Sequence, residues 1–112
     1  MMEPTVGRKV WYRPFKNELL SPYGMVTAGD QPLDATIVAV WGPRCVNLFV
    51  IDASGKAFAC TSRTLLQDDD PAPKDGGYAE WMPFQKGQAA KTEAAESLLT
   101  AKAARAVGEG GY

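Results

Sequence analysis

Between Asp34 and Leu66 the chain alternates apolar runs of strand length with short polar turns. Val38, Val40 and Trp41 run into Gly42-Pro43-Arg44. Val46, Leu48, Phe49, Val50 and Ile51 run into Asp52-Ala53-Ser54-Gly55-Lys56, and Ala57 to Cys60 complete the set. Runs rich in β-branched and aromatic residues, bounded by Gly, Pro, Asp and Ser, predict an antiparallel meander. The strands are Ala35 to Trp41, Val46 to Ile51 and Ala57 to Thr61. The first of these is apolar on both faces, which predicts a central place with a neighbour on each edge. In the second, Asn47 is the only polar member, and Val46, Leu48 and Val50 are expected to point inward. In the third, Phe58 and Cys60 form the expected inward pair.

The flanking segments are less regular. Thr5 to Arg13 reads as a first strand with Val6, Val10 and Tyr12 on one face, ended by Pro14; residues 1 to 4 are expected to fray. Phe15 to Leu33 is a long loop with Pro22-Tyr23-Gly24 and Ala28-Gly29-Asp30. A loop of this length in a small domain is functional or mobile. Its Phe15, Leu19, Leu20, Tyr23 and Met25 require part of it to fold back onto the barrel, and Lys16 to Ser21 is suited to one helical turn. After the meander, Ser62 to Leu66 predicts a 3₁₀-type turn, and Gln67 to Gly77, with its Asp, Pro and Gly, reads as a linker. Tyr78 to Met82 is the expected last strand, since Pro83 bars a central strand beyond it. The fold class is therefore mainly β: a small five-stranded antiparallel barrel domain over 5–84.

From Gln85 the composition shifts to Ala, Lys, Glu and Gln. Helix propensity is good there, yet Leu98 and Leu99 are the only large apolar residues before Val107, too few for an apolar stripe. The expected tail, 85–112, is a marginal helix or disordered.

A chain of 112 residues with net charge −1 fits one domain and disfavours a dedicated nucleic-acid binder. Basic residues gather early (Arg8, Lys9, Arg13, Lys16), and Asp68, Asp69, Asp70 and Asp75 make one loop acidic. The first fourteen residues lack the apolar core of a secretory signal, and no stretch reaches the ~20 apolar residues of a membrane span. In a hairpin centred near Ser54, Cys60 faces Leu48 and not Cys45, so free thiols in a reducing compartment are expected.

The chain has no His, which removes every histidine base or ligand. Two thiols without a Cys-x-x-Cys spacing make no zinc site, and the Asp68–Asp70 run lacks the distal Glu of a calcium loop. No phosphate loop or nucleophile elbow occurs, so the reading is non-catalytic, with no cofactor or metal. The aromatic residues remain. Three Trp are too large for a small barrel to bury completely, and exposed aromatic patches mark interfaces. Trp11, Tyr23 and Trp81 are assigned to a groove, with Arg13 and Arg63 as basic partners. A small anionic ligand near Arg8, Lys9 and Arg63 also fits.

The order of short strand, long loop, three-strand meander, 3₁₀-like turn and short last strand is similar to an SH3-like barrel. The chain also resembles a group of small proteins of tailed bacteriophages and prophages. The residues that carry the likeness are Val6-Gly7-Arg8-Lys9-Val10-Trp11-Tyr12-Arg13, Ala35 to Val40, Val46 to Asp52 with Gly55, Thr61-Ser62 and Glu80 to Gln88. This resemblance implies a phage or prophage origin and action in the bacterial cytoplasm or in the virion, and it implies no catalytic residues. The expected function is a non-catalytic interaction protein whose partner is a host or phage protein, such as an accessory or anti-defence factor. The alternative is a virion component, of head–tail or tail accessory type, that forms a homo-oligomer.

Overall fold

Five strands close into a barrel in the computed structural model, which describes residues 1–20 and 24–87. They are β1 (Lys9–Arg13), β2 (Leu33–Gly42), β3 (Cys45–Ile51), β4 (Ala57–Leu66) and β5 (Tyr78–Glu80), with one 3₁₀ turn at Lys16–Leu19. Each of β1 to β3 runs antiparallel to the next. β5 closes the barrel, antiparallel to β1 and parallel to β4. The expected mainly β, five-stranded barrel is thus what forms, with one parallel pair in its closure.

The core follows the period of two. Val10 and Tyr12 of β1, Leu33, Ala35 and Ile37 of β2, and Val46, Leu48 and Val50 of β3 all point inward and are buried. Cys60 and Leu65 of β4, Ala79 of β5, Met25 and Trp81 complete the cluster, with Phe58 packed against it. Cys60 and Leu65 lie five positions apart, which strict alternation forbids. A bulge supplies the missing shift: the register against β3 slips between Val46 and Leu48, and Ser62 takes φ 52°. Asn47 stabilises the bulge. Its Oδ1 accepts the Ser62 N–H at 2.8 Å and the Trp41 indole N–H at 2.9 Å. The single polar residue of β3 is therefore a bulge clamp. Residues 62–66, expected as a 3₁₀ turn, continue β4; the 3₁₀ geometry occurs earlier, at Lys16–Leu19.

Three other expectations change. β1 begins at Lys9, because Arg8 N–H turns back to Thr5 O at 3.2 Å and Gly7 takes φ 92°; Val6 is exposed. Residues 1–4 do not fray. Pro4 is buried, and Met2 packs on the core and exchanges two hydrogen bonds with Gln67. Gln67, expected in a linker, is a core residue. Its amide N–H groups reach Met2 O and Pro43 O, both at 2.8 Å, while its Oε1 accepts Met2 N–H at 3.2 Å and Trp81 Nε1–H at 3.1 Å. Both donors and both lone pairs are used, so the amide is buried without an orphan. β2 has a partner on each edge as expected, although its outer face is open and leaves Val38 and Trp41 exposed.

Residues 1–82 form one unit and 83–112 another. Of the second, 83–87 form a short helical turn. Of the helical or disordered tail expected over 85–112, residues 85–87 belong to this turn, and 88–112 lie outside the described residues. No helix among the described residues is long and apolar enough to cross a membrane.

Candidate binding cleft

The barrel closes, but along β4 the closing pair is short. β5 is three residues long and covers only Thr64 to Leu66 of β4. The first half of β4, from Ala57 to Thr61, faces the segment that leaves β1. Between them lies a cleft of about 570 Å³, lined by Phe15, Asn17, Glu18, Met25, Ala57, Phe58, Ala59 and Arg63.

The wall opposite β4 is built from the start of the long loop. Lys16–Leu19 makes one 3₁₀ turn, a form suited to such short pieces. The Glu18 carboxylate reaches back and accepts the Phe15 N–H at 2.8 Å, which satisfies a donor that the turn leaves free. The rest of that carboxylate faces inward. Oε1 accepts the Tyr12 hydroxyl at 2.5 Å, Oε2 accepts Arg63 Nη2–H at 3.0 Å, and the Cys60 thiol lies 3.7 Å from Oε2. Arg63 also donates from Nε to Tyr12 Oη at 2.8 Å and from Nη1 to Thr61 O at 2.6 Å. Its guanidinium stacks 5.2 Å from the centre of the Phe15 ring, a cation–π geometry.

A carboxylate this well buried survives only with such partners. Burial disfavours the Glu18 charge, but the bonds from Tyr12, Phe15 and Arg63 outweigh it and hold the carboxyl below the ordinary glutamate range. Burial and then donation to Glu18 push the Tyr12 phenol far above its usual range. Burial and the Glu18 charge push the Cys60 thiol up to about 11. For Arg63, burial opposes the charge, yet the bonds to Tyr12 and Glu18 raise its affinity for the proton. The cluster is thus a neutral, ion-paired clamp. Its groups are held in the protonation states that bind one another.

Two further ties hold the loop in place. Gly77 and Gly76 adopt φ 76° and 80°, and a Cβ on Gly77 would overlap the Phe15 ring. Only glycine lets the chain pass behind Phe15 this closely. At the far end, Asp52 accepts the Val26 N–H at 3.0 Å, together with Ser54 N–H, Ser54 Oγ–H and Lys56 N–H at 2.9, 2.7 and 2.9 Å. Val26 O in turn accepts Ala53 N–H at 2.9 Å. The loop is anchored at both ends of the cleft.

Of the residues assigned to binding from the sequence, Arg63 alone lines the cleft. Trp11 and Arg13 lie half-buried on the outer face of β1, where Arg13 pairs with Glu80 at 3.6 Å and with Asp30 O at 2.6 Å. Tyr23 lies outside the described residues. Trp81 is 2% exposed and lines no groove: its indole N–H is used by Gln67, and Arg8 covers its ring at 5.4 Å. The exposed tryptophan is instead Trp41, at 66%. Arg8 lies over Trp81, and Lys9 pairs with Asp34 at 3.2 Å, so neither lines the cleft with Arg63. Glu18 and Phe15 were missed because a charged residue in a loop reads as solvated. The usable signal was Glu18 three positions after Phe15, the spacing of a carboxylate that returns to a turn's first N–H.

Cys45 and Cys60 are free thiols. Among the described residues no group of three His, Cys, Asp or Glu side chains is placed to hold a metal. No family model, curated protein or solved structure matches the chain.

Proposed function

We propose that this chain is a non-catalytic protein-binding module of phage or prophage origin that acts inside the bacterial host cell. One observation carries the binding part of this reading: the open, preorganised cleft between β4 and Lys16–Leu19. Its volume of about 570 Å³ lies within the range of ligand sites, ~300–1,000 Å³. Its lining mixes Phe15, Phe58 and Met25 with a few polar groups. A cleft whose walls are already locked by hydrogen bonds loses little entropy when it binds. The cellular part of the reading rests on the resemblance to phage proteins.

A library of displayed random decapeptides, panned over the full-length protein, tests the site. Asn17 lies on the cleft wall and is exposed, so Asn17→Trp plugs the cleft without touching the core. Peptides enriched on the wild type and lost on Asn17→Trp are the expected result. No enrichment, or equal enrichment on both, overturns the reading.

The alternative is a self-associating particle component. It is favoured by the apolar outer face of β2 and β3, where Val38, Trp41 and Phe49 are exposed. Light scattering after size exclusion separates the two: a ring-sized assembly lost in Trp41→Ser supports self-association, and a monomer supports the binding module.

A further inference from the structure

The cleft floor is a strand edge. In the β3–β4 hairpin, Asp52 N–H bonds to Lys56 O at 2.9 Å. Antiparallel pairs alternate between hydrogen-bonded and non-bonded. With Ile51 opposite Ala57, Val50 opposite Phe58 and Phe49 opposite Ala59, Phe58 directs its backbone groups at β3. Ala57, Ala59 and Thr61 then direct theirs away from β3. The Thr61 carbonyl confirms the parity, because it accepts Arg63 Nη1–H on that side at 2.6 Å. Among the described residues, none is shown to bond the cleft-side N–H and C=O groups of Ala57 and Ala59.

We propose that the cleft binds an extended peptide segment of a partner protein, which adds a strand to the open edge of β4 at Ala57–Ala59. The proposal rests on the binding-module reading and names its ligand. Four features fit. Strand edges are normally blunted by charge, proline or cover, yet Ala57-Phe58-Ala59 has neither charge nor proline, and its alanines keep the approach clear. The edge has a defined end, since Arg63 occupies the Thr61 carbonyl. An extended residue fills about 160 Å³ at ~3.3 Å rise, ~4.8 Å strand spacing and ~10 Å sheet spacing, so 570 Å³ accommodates about three or four. Finally, alternate side chains of the added strand would meet Phe15, Phe58 and Met25, which selects apolar residues at every second position.

A second copy of the chain fits less well. The Phe15–Glu18 segment forms the facing wall of the cleft, and the cleft's volume is that of a few extended residues, not of a second barrel. A single slender segment enters; a barrel does not.

The test is an NMR titration of the ¹⁵N-labelled full chain with a capped peptide of alternating threonine and valine with terminal lysines. Main-chain bonds supply the grip in strand addition, so this generic probe suffices at millimolar concentration. The expected result is saturable shifts of the Ala57 and Ala59 amides. Binding should weaken at least tenfold for Ala59→Pro, which deletes a cleft-side N–H that β3 does not use. The same loss is expected when the peptide is N-methylated at alternate residues, a change that leaves the protein untouched and so covers any misfolding of the variant. Undiminished binding of the N-methylated peptide, or shifts on the outer face around Trp41 and Phe49, overturns strand addition. So do concentration-dependent shifts of Ala57 and Ala59 without peptide, which would indicate a second copy. Peptide that binds wild type and Ala59→Pro alike but not Asn17→Trp refutes the strand geometry and leaves the binding module standing. No saturable binding to the wild type refutes both.

Discussion

The Tyr12 hydroxyl donates to Glu18 Oε1 at 2.5 Å, and through that bond a core residue of β1 fixes the loop wall of the cleft. Arg63, more than forty positions further along, bonds both of them. The triad therefore joins β1, the 3₁₀ turn and β4 where the first half of β4 lacks a strand on its second edge. It does the work of a ladder with side chains.

Removing the carboxylate should be costly. Glu18→Ala leaves the Arg63 guanidinium, 20% exposed, without its counter-ion, and breaking a buried pair typically costs ~3–5 kcal/mol. Arg63 keeps some access to water, so the lower end, about 3 kcal/mol, is expected. Glu18→Gln keeps an acceptor for Tyr12 and should cost less. Urea unfolding reads both as a shifted midpoint at unchanged m. A loss under about 0.5 kcal/mol for Glu18→Ala would show that the clamp does not hold the wall.

Acid should destabilise the fold in a predictable window. Asp52 is held at about 2, first by the Ser54 hydroxyl and, against some burial, by the N–H groups of Val26, Lys56 and Ser54. A carboxyl depressed in the fold stabilises fully above its unfolded value, about 3.9, and loses that contribution as pH falls through the folded value. Stability should therefore fall between about pH 4 and 2, and Asp52→Asn should flatten that limb. Glu18 acts with the same sign. Urea midpoints at several pH values measure the slope; an unchanged limb in Asp52→Asn would remove Asp52 as its source.

Much of the barrel was legible because burial imposes a period of two. Val46, Leu48 and Val50, Cys60 opposite Leu48, and the turn near Lys16–Leu19 all follow from local pattern and turn chemistry. What escaped depended on partners far along the chain. Ser62 looks like a turn residue; only the Asn47 side chain makes it a bulge inside β4. Gln67 looks like loop and is buried because Met2, Pro43 and Trp81 together use its whole amide. Trp81, assigned to a groove, is buried for the same reason, and Trp41 is the exposed one. Size alone says that one tryptophan is exposed, and long-range packing says which. The cleft was illegible because its charged members pair across the fold.

Gly77 carries a sharper prediction than its place in a loop suggests. Gly77→Ala meets two penalties, a left-handed φ of 76° and a methyl directed into the Phe15 ring. Either the chain or the ring must move, at a cost above ~1 kcal/mol. Because Phe15 is cleft wall, peptide affinity should fall together with stability. Phe15→Ala in the same background should recover part of the stability by making room, but none of the affinity. Calorimetry and the peptide titration read the two quantities separately. Independent effects of the two substitutions would deny the contact.

The two thiols should differ strongly in reactivity, which tests the clamp without any ligand. The thiolate is the reactive species. With its thiol pushed up to about 11 by burial and by the Glu18 charge, Cys60 at pH 8 carries only about a thousandth as thiolate, and it is 1% exposed. Cys45, at the start of β3, is half-buried and reaches solvent. A chromogenic disulfide reagent should therefore release one equivalent quickly in the wild type. The second should appear only as the barrel opens, at a rate that urea accelerates. Glu18→Gln removes the charge beside Cys60 and weakens the wall, so both changes speed the slow phase. Burial alone would leave the slow rate tied to global unfolding, and Glu18→Gln would then speed it only as far as its measured loss of stability requires. Acceleration beyond that reports reaction of Cys60 without global unfolding, once the Glu18 charge no longer opposes its thiolate and the Lys16–Leu19 wall is weakened.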